Sequence, residues 1–215
     1  MKRITEQFLD KIEAIFSLRH KNVLEIGCGE GVRSEKIAKR CGRLIGIDPS
    51  PENIIFARKK GIQNCLFKEG KAEKLNFPDK SFDVAIFTLS FHHIDESLRS
   101  QAIKEAVRVV KKEGRLIFLE PATNGSFFEA EIQFDACDGD ERKEKLDAYH
   151  VMINHPQLKL VKELVDETIF QFDSNEDFIN SMTPQKNLQA ALSFLQKHNY
   201  VLNAHRRINI FKPIP

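Results

Sequence analysis

An apolar segment that runs directly into three alternate glycines is the feature that most constrains the fold of this chain. Residues 23–26 are apolar apart from Glu25, and the glycines stand at positions 27, 29 and 31. Glycines after a first strand allow a sharp turn and a close approach of the backbone to a ligand. A second apolar segment, 44–47, ends in Asp48, and an acid at that place can bind two ribose hydroxyls. The pattern predicts a site for a nucleoside cofactor.

Apolar segments alternate with helical patterns between residues 22 and 121. Strands are predicted at 22–27, 43–48, 64–67, 82–89 and 115–120. The helices between them are predicted at 34–40, from Ser50-Pro51 onward, and at 98–110, where Gly114 ends the last one. Strands that alternate with helices are typical of parallel βαβ units, in which helices cover both faces of the sheet.

The alternation stops after the fifth predicted strand. A helical pattern at 127–150 is interrupted near Gly139. The later elements are a strand, a helix and a strand at 159–172, 185–198 and 204–211. Apolar residues at helical spacing also predict an amphipathic helix over the first twenty residues. We therefore predict an α/β fold with a doubly wound, mainly parallel seven-stranded sheet, helices on both faces, and a helical cover after the fifth strand.

No internal repeat or low-complexity linker divides the 215 residues, so a single domain is predicted. Within the domain 1–215, residues 20–121 form the predicted cofactor-binding core. Residues 122–158 form a helical segment that covers the substrate, and residues 159–215 complete the sheet.

The composition argues against several classes of protein. The 33 Lys and Arg residues against 31 Asp and Glu give a net charge of +2, without the clustered basic face typical of nucleic-acid-binding proteins. No apolar run approaches the roughly 18 residues that cross a bilayer, and the N-terminus turns polar too soon for a signal peptide, so we expect a cytoplasmic location. The four cysteines lack zinc-binding or disulfide spacing, and no metal site is predicted. The sequence does not indicate an oligomeric state.

The glycine spacing distinguishes two classes of cofactor loop. Dinucleotide-binding folds use Gly-x-Gly-x-x-Gly, in which the third glycine lets the helix pack close beneath the pyrophosphate. Here Val32 occupies that third position, and Gly31 comes one residue early. The alternate spacing Glu25-x-Gly27-x-Gly29-x-Gly31 instead resembles motif I of the class I S-adenosylmethionine (SAM)-dependent methyltransferases.

Three further segments strengthen this resemblance. Residues 45–50 resemble the family's second segment, residues 71–84 its loop and fourth strand, and residues 110–116 its turn from a helix into the fifth strand. The resemblance covers residues 20–121 and is greatest to the small-molecule, type 11-like branch that includes quinone and sterol enzymes. It implies a Rossmann-like fold, SAM as the cofactor and methyltransferase activity.

The resemblance also implies which residues contact SAM. The glycine turn packs on the methionine part, with Glu25 near its amino group through water. Asp48 binds the ribose hydroxyls, and the Ala72 N–H donates to the adenine ring. Thr88 and Leu89 face the methionine part and the sulfonium. The full predicted set is Glu25, Gly27, Cys28, Gly29, Gly31, Asp48, Pro49, Ala72, Glu73, Thr88 and Leu89.

The third loop departs from the family pattern at one position. The family often has an acid just before the alanine, where it accepts a hydrogen bond from the adenine amino group. This chain has Lys71 there, so Glu73 or water is left to supply the acceptor. The departure concerns the affinity for adenine and not the fold.

Two histidines follow the strand predicted at 82–89. His92 and His93 are candidate catalytic residues, because a histidine there can take a proton from an attacking hydroxyl or amine near neutral pH. The alternative is a role in packing and helix capping, which is favoured for His93 because it matches the family's commoner histidine position.

The segment 129–147 contains eight acidic and three basic residues. Such a cover attracts a cationic or amine acceptor, or it forms a solvated helix face, and both interpretations stay open at this point.

The sequence thus predicts a SAM-dependent methyltransferase that acts by in-line displacement on a small-molecule acceptor. The alternatives are a non-catalytic SAM-binding protein and a protein- or RNA-directed methyltransferase. No Asn-Pro-Pro-Tyr-like sequence follows the strand at 82–89, which argues against an amide- or base-directed enzyme. An NAD-dependent oxidoreductase is disfavoured by Val32.

Overall fold

A single sheet of eight strands organises the computed structural model, which describes residues 1–214. The strands are β1 (Lys2–Thr5), β2 (Asn22–Ile26), β3 (Arg43–Asp48), β4 (Cys65–Glu69), β5 (Phe82–Thr88), β6 (Val110–Pro121), β7 (Leu158–Gln171) and β8 (Val201–Pro213). The helices are α1 (Phe8–Glu13), α2 (Ser34–Ala38), α3 (Pro51–Lys59), α4 (Glu96–Val109), α5 (Ser126–Phe134), α6 (Arg142–Ile153), α7 (Asn175–Met182) and α8 (Leu188–Lys197). The spatial order of the strands is β1-β7-β8-β6-β5-β2-β3-β4.

The strands β2 to β6 are parallel, as the alternation of strands and helices predicts. The central strand β5 is buried on both faces: Val84 and Ile86 pack into one apolar cluster, and Ala85 and Phe87 into another. The first cluster includes α1 and α2, and the second includes α4 and α6. This arrangement confirms the predicted α/β class with helices on both faces of the sheet.

The remaining strands are antiparallel additions to one edge. β8 lies between β6 and β7 and pairs with both, and β1 pairs with β7. The sheet therefore has eight strands and not the predicted seven, because the first residues of the chain form an edge strand.

The predicted helix over the first twenty residues is wrong at its beginning. Only α1 is helical, and Lys2–Thr5 is extended because its backbone pairs with Ile169–Gln171 of β7. The apolar spacing that indicated a helix comes from Leu9 and Ile12, which are buried in α1. A long-range pairing partner decides the conformation of residues 2–5, and no local pattern reports it.

Gly114 does not end a helix, contrary to the prediction. α4 already ends at Val109, and Gly114 lies inside β6. A Cβ atom at Gly114 would lie 2.5 Å from the carbonyl oxygen of Asp83, where the pairing of β5 and β6 shifts register. The glycine is thus required by close backbone approach in a strand.

The segment after β6 has the predicted helical cover, in two helices. α5 and α6 are separated by a turn that contains Gly139 with φ +72°. Helix α7 was not predicted, although Ser174 caps it by accepting a hydrogen bond from the Asp177 N–H at 3.1 Å. Within residues 1–214, every helix is too short or too polar to cross a bilayer.

Candidate functional site

The three glycines after β2 all have positive φ, but each meets different surroundings. A Cβ at Gly27 would lie 2.2 Å from the Cβ of Ser90, so Gly27 allows the loop after β5 to approach. At Gly31 it would meet the ring of Phe67 at 3.0 Å, which makes Gly31 a packing glycine. At Gly29 it would meet nothing within 4 Å. Open space beside the backbone of Gly29 is the arrangement expected for a ligand-binding turn.

Asp48 is held in one orientation at the carboxyl end of β3. Its Oδ2 accepts a hydrogen bond from the Gly29 N–H at 2.9 Å. Its Oδ1 accepts from the Ser50 N–H and from Nδ2 of Asn53, both at 3.0 Å. The carboxylate therefore connects the glycine turn to the start of α3, and it is positioned before any ligand arrives.

Glu25 is fully buried beneath the glycine turn. Its carboxyl oxygens accept hydrogen bonds from Oγ of Ser34 at 2.5 Å and from Oγ1 of Thr88 at 2.8 Å. Burial raises the pKa of Glu25 to about 7, although both hydrogen bonds act in the opposite direction. Glu25 thus joins β2, α2 and β5 from behind the turn.

A cavity of about 600 Å³, here called the larger cavity, opens at the carboxyl ends of the parallel strands. Most predicted cofactor residues line it: Gly27, Cys28, Gly29, Asp48, Pro49, Ala72, Glu73, Thr88 and Leu89. Lys71 and His93 line it too, whereas Glu25 and Gly31 do not. The structure therefore brings together residues that are up to 62 positions apart in the sequence, between Gly27 and Leu89.

His92 is buried and oriented by Glu120. Nδ1 of His92 forms a hydrogen bond with the Glu120 carboxylate. Glu120 also accepts hydrogen bonds from the backbone N–H groups of Ser90 and Phe91, at 3.1 and 3.0 Å, and from that of His92 at 3.3 Å. Because the carboxylate is the acceptor, Nδ1 is assigned as the donor, and Nε2 then carries the free lone pair.

His92 faces a second cavity of about 230 Å³, here called the smaller cavity. Four residues line both cavities, which therefore adjoin: Arg3, Arg33, Leu89 and His93. Phe127 and Phe128 of α5 contribute apolar surface to the smaller cavity. The predicted helical cover thus forms part of this wall.

Glu141 connects the two histidines to α6. Its carboxylate lies 3.4 Å from Nδ1 of His93 and 3.7 Å from Nε2 of His92. The hydrogen bond that His93 donates to the Glu141 carboxylate raises the pKa of His93. Burial acts to raise the pKa of Glu141, but contact with the two histidines and Lys145 outweighs it and lowers this pKa to about 2.

These three groups offer ligand atoms within 4.8 Å of one another, a spacing that a metal ion can bridge. The sequence predicted no metal site, because its cysteines lack zinc-binding spacing. Glu141 is far from the histidines along the chain, so no local pattern connects these three groups. The ammonium of Lys145, buried and 3.3 Å from Glu141, already supplies a counter-charge.

The acidic segment 129–147 divides between the two interpretations. Asp140 pairs with Arg142, and Asp147 with Lys143, on the solvent-exposed side. Glu131 and Glu141 instead line the smaller cavity. Burial raises the pKa of Glu131 to about 7, with Lys145 acting in the opposite direction.

Sequence reasoning missed several residues of the site. Glu120 stands at the end of a predicted parallel strand, so the same rule that identified Asp48 could have found it. Arg33 follows the glycine turn by two residues and could have been considered with it. Arg206 lies on β8 and has no local signal, since only the antiparallel pairing of that strand brings it to the cavity.

Comparisons with known proteins agree with this geometry. Residues 24–118 match the family model described as a methyltransferase domain. The chain is 34% identical over 102 residues to YcgJ of Bacillus subtilis, an uncharacterized methyltransferase; this covers 46% of the chain and 40% of YcgJ. An uncharacterized methyltransferase of Bacillus velezensis is 23% identical over 176 residues, which covers 78% of the chain and 79% of that protein.

Two solved structures share the fold. The crystal structure of YcgJ has a TM-score of 0.61 at 20% identity and covers 95% of this chain and 96% of that one. A SAM-dependent methyltransferase from Methanosarcina mazei has a TM-score of 0.63 at 19% identity and covers 95% of this chain and 97% of that one. At these identities the likeness concerns the fold.

Proposed function

We propose that this chain is a class I SAM-dependent methyltransferase, and that it transfers a methyl group from SAM to a small-molecule acceptor. The observation that carries the proposal is that two cavities adjoin at the carboxyl ends of the parallel strands. Open α/β sheets bind their ligands at this edge. The larger cavity has the features of a cofactor site, and the smaller one contains an oriented histidine.

The residues of the larger cavity fit SAM. Its volume lies within the roughly 300–1,000 Å³ typical of small-molecule sites. Asp48 would bind the ribose hydroxyls, and its hydrogen bonds to Gly29 and Asn53 hold it ready to do so. The backbone of Ala72 would contact the adenine, and Thr88 the methionine part. Glu25 supports this site from behind, by fixing Thr88 and the start of α2.

Binding and alignment supply much of the rate in such a transfer. When bound, SAM would supply a methyl group attached to a positively charged sulfur. As the acceptor atom bonds to the methyl carbon, the carbon–sulfur bond would break and the sulfur would keep its electron pair. Nε2 of His92 takes the proton that the acceptor atom loses. Glu120 then stabilises the charged imidazole through Nδ1. Glu141 lies near both histidines, at 3.4 Å from His93 and 3.7 Å from His92. Because His92 is buried and oriented by Glu120 whereas His93 is half-exposed, we assign the base to His92.

The size of the smaller cavity, about 230 Å³, favours a small-molecule acceptor over a macromolecule. It is bounded by α5, by the loop before α6 and by β8. Leu89 lies on the boundary between the two cavities. An acceptor in the smaller cavity would thus lie next to the methionine end of the cofactor site.

Calorimetry with SAM, S-adenosylhomocysteine and NAD tests the cofactor. We expect the first two to bind and NAD not to; binding of NAD alone would overturn the proposal. Incubation with methyl-labelled SAM and a metabolite extract tests turnover. Label in a small-molecule product supports the enzyme, whereas tight SAM binding without any labelled product would indicate a non-catalytic binding protein.

A further inference from the structure

Three arginines, here called the arginine cluster, lie where the two cavities meet. Arg3 is in β1, Arg33 precedes α2, and Arg206 is in β8. Arg3 and Arg33 line both cavities, whereas Arg206 lines the smaller cavity and not the larger. Separate parts of the chain thus bring positive charge to the smaller cavity, although nothing in the proposed methyl transfer requires it.

The carboxylate of Glu6 contacts two arginines of the cluster and one lysine. Oε1 of Glu6 lies 2.6 Å from Nη1 of Arg206 and 3.3 Å from Nε of Arg33. Oε2 of Glu6 pairs with Lys36 at 2.7 Å. These three cations together lower the pKa of Glu6 to about 2, against the opposing effect of burial. Glu6 is therefore ionised, but its single negative charge offsets only part of the positive charge of the three arginines.

The cluster also has unused hydrogen-bonding capacity. Among residues 1–214, Nε of Arg33 is buried without a hydrogen-bond partner, since its contact with Glu6 lacks hydrogen-bond geometry. Asp166, the other buried acid nearby, pairs with Lys11 at 2.9 Å. Burial and then the charge of Arg206 lower the pKa of Arg33 to about 10. A buried N–H without an acceptor is costly, so Glu6 does not fully satisfy the guanidinium of Arg33.

Aromatic side chains lie beside the guanidinium groups. The Cζ atoms of Arg3 and Arg206 are each 5.9 Å from the ring centroid of Phe170. The ring of Phe127 packs on Phe170 with centroids 4.6 Å apart. Both phenylalanines line the smaller cavity, as does His92. The cavity thus combines a cationic part, an apolar wall and the proposed base.

We infer that the methyl acceptor carries an anionic group, a carboxylate or a phosphate, that binds the arginine cluster in the smaller cavity; this inference rests on the proposed function. Guanidinium groups match both anions with paired N–H donors. Three acids line the same cavity: Glu131 and Glu141 contact Lys145, and among the described residues neither they nor Asp138 pair with the cluster. The apolar body of the acceptor lies against the phenylalanines, and its accepting atom faces His92.

A carboxylate could reach the cluster from a second source, the methionine part of SAM, because Arg3 and Arg33 also line the larger cavity. Because Arg206 lines only the smaller cavity, a substitution there distinguishes a carboxylate of the acceptor from that of SAM. We expect Arg206→Met to weaken an anionic acceptor and to leave SAM affinity within about twofold. Comparing SAM with decarboxylated SAM, which lacks that carboxylate, measures the cofactor's share directly.

The experiment is calorimetry on the full chain saturated with S-adenosylhomocysteine, using benzoate, phenyl phosphate, benzamide and benzylamine as probes. We expect one of the two anions to bind at least about tenfold more tightly than benzamide and benzylamine, as for a hydrogen bond to a charged group. Arg3→Met and Arg206→Met should each remove most of this preference. Arg207→Met is the matched control, since Arg207 lies over Tyr149 and lines neither cavity.

Equal binding of the neutral and anionic probes, or tighter binding of benzylamine, would overturn the inference. The inference would also be overturned if the arginine variants bound SAM more weakly but bound decarboxylated SAM as well as the wild type does, because the cluster would then bind the carboxylate of the cofactor. Because Arg206 is buried, the exposed Arg3 provides the variant that keeps the fold. If S-adenosylhomocysteine binds and neither anion does, the anionic acceptor alone is refuted. If S-adenosylhomocysteine itself fails to bind, the proposed function falls as well.

Discussion

Two regions of this sheet are built by different rules. The parallel region, β2 to β6, surrounds the larger cavity, and its polar groups are already paired: Asp48 accepts from Gly29 and Asn53, and Glu25 from Ser34. The antiparallel region, β1, β7 and β8 with α5 and α6, forms much of the smaller cavity. At the smaller cavity the three arginines outnumber the carboxylate of Glu6 that pairs with two of them, and Glu131 and Glu141 share the ammonium of Lys145. On the proposed function, the first region would bind the cofactor and the second the methyl acceptor.

This comparison implies a separation of effects. Changes in the parallel region should alter cofactor affinity, whereas changes at the smaller cavity should alter turnover or acceptor affinity with the cofactor still bound. The family match covers residues 24–118, which includes β3 to β5 and most of β2 and β6 but none of β7 or β8. The experiments below test that separation, from the largest expected effect to the smallest.

Gly27→Ala should have the largest effect. Its φ is +73°, and an added Cβ would lie 2.2 Å from the Cβ of Ser90. Backbone strain and overpacking together should cost about 4 kcal/mol of unfolding free energy and abolish binding of S-adenosylhomocysteine. Urea unfolding and calorimetry measure the two effects.

Gly61→Ala is the matched control for this substitution. Gly61 also has positive φ, at +63°, but a Cβ there meets nothing within 4 Å. We expect a loss of about 1 kcal/mol from strain alone, with cofactor affinity intact. Equal losses in the two variants would show that the approach of Ser90 is not what requires Gly27.

The pH dependence of stability should reveal the buried Glu25. Its pKa is raised from 4.5 to about 7 by burial, so the folded state holds the proton more tightly than the unfolded chain. The resulting stabilisation is complete below the unfolded pKa and is lost as pH rises through about 7. The loss amounts to about 3 kcal/mol.

Urea unfolding of wild type and Glu25→Gln at about pH 5 and about pH 8 checks this expectation. The glutamine variant stays neutral and should lose less stability over this range. Glu131→Gln gives the same measurement in the antiparallel region, because burial raises the pKa of Glu131 to about 7 too. Identical pH slopes for wild type and Glu25→Gln would contradict the assignment.

His92→Gln should lower kcat about a hundredfold, as expected for removal of a general base, without changing SAM affinity. The loss arises at the smaller cavity, so binding at the larger one is the internal control. His93→Gln should cost less, because His93 is half-exposed whereas His92 is buried and oriented by Glu120. Rates with labelled SAM measure both variants. A larger loss for His93→Gln would transfer the role of base to that residue.

Asp48→Ala should weaken SAM about thirtyfold, the effect of losing hydrogen bonds to a charged group. The control is Glu69→Ala. Glu69 pairs with Asp48 in register on β4, but it is exposed and does not line the larger cavity. Calorimetry should separate the two variants clearly. Comparable losses would mean that net charge, and not a contact with the cofactor, determines the affinity.

Lys71→Asp should have the smallest effect, a gain in SAM affinity of about threefold, because a carboxylate there can accept a hydrogen bond from the adenine amino group. Lys71 lines the larger cavity and is exposed. Lys74→Asp, three residues further along the same turn, provides the charge-matched control. Unaltered affinity in Lys71→Asp would show that the position does not contact adenine.

The sequence allowed most of the parallel region to be predicted, because its signals are local. The glycines, Asp48 and the Ser50-Pro51 helix start each follow from backbone geometry within a few residues. Apolar periodicity likewise gave the later strands β7 and β8 and the helices α5, α6 and α8 to within a few residues.

The antiparallel region was less predictable where long-range pairing decides the outcome. Lys2–Thr5 became a strand only through β7. The same cause applies to one position of the parallel region, Gly114, which lies in β6 where the strand passes close to the Asp83 carbonyl. Arg206 reached the smaller cavity through the pairing of β8. A single sequence carries the propensity of each segment but not the identity of its partner.

The position of β8 has a consequence for the order of folding. β8 lies between β6 and β7, although it follows both in the chain. On the ribosome, β7 therefore has no place in the sheet until residues 201–213 have been synthesised. Until then the edge of β6, with Leu116 and Phe118, stays unpaired, and an exposed apolar edge promotes aggregation. We expect the cofactor region to become compact first and the acceptor cavity to assemble last, as a late, high-contact-order step.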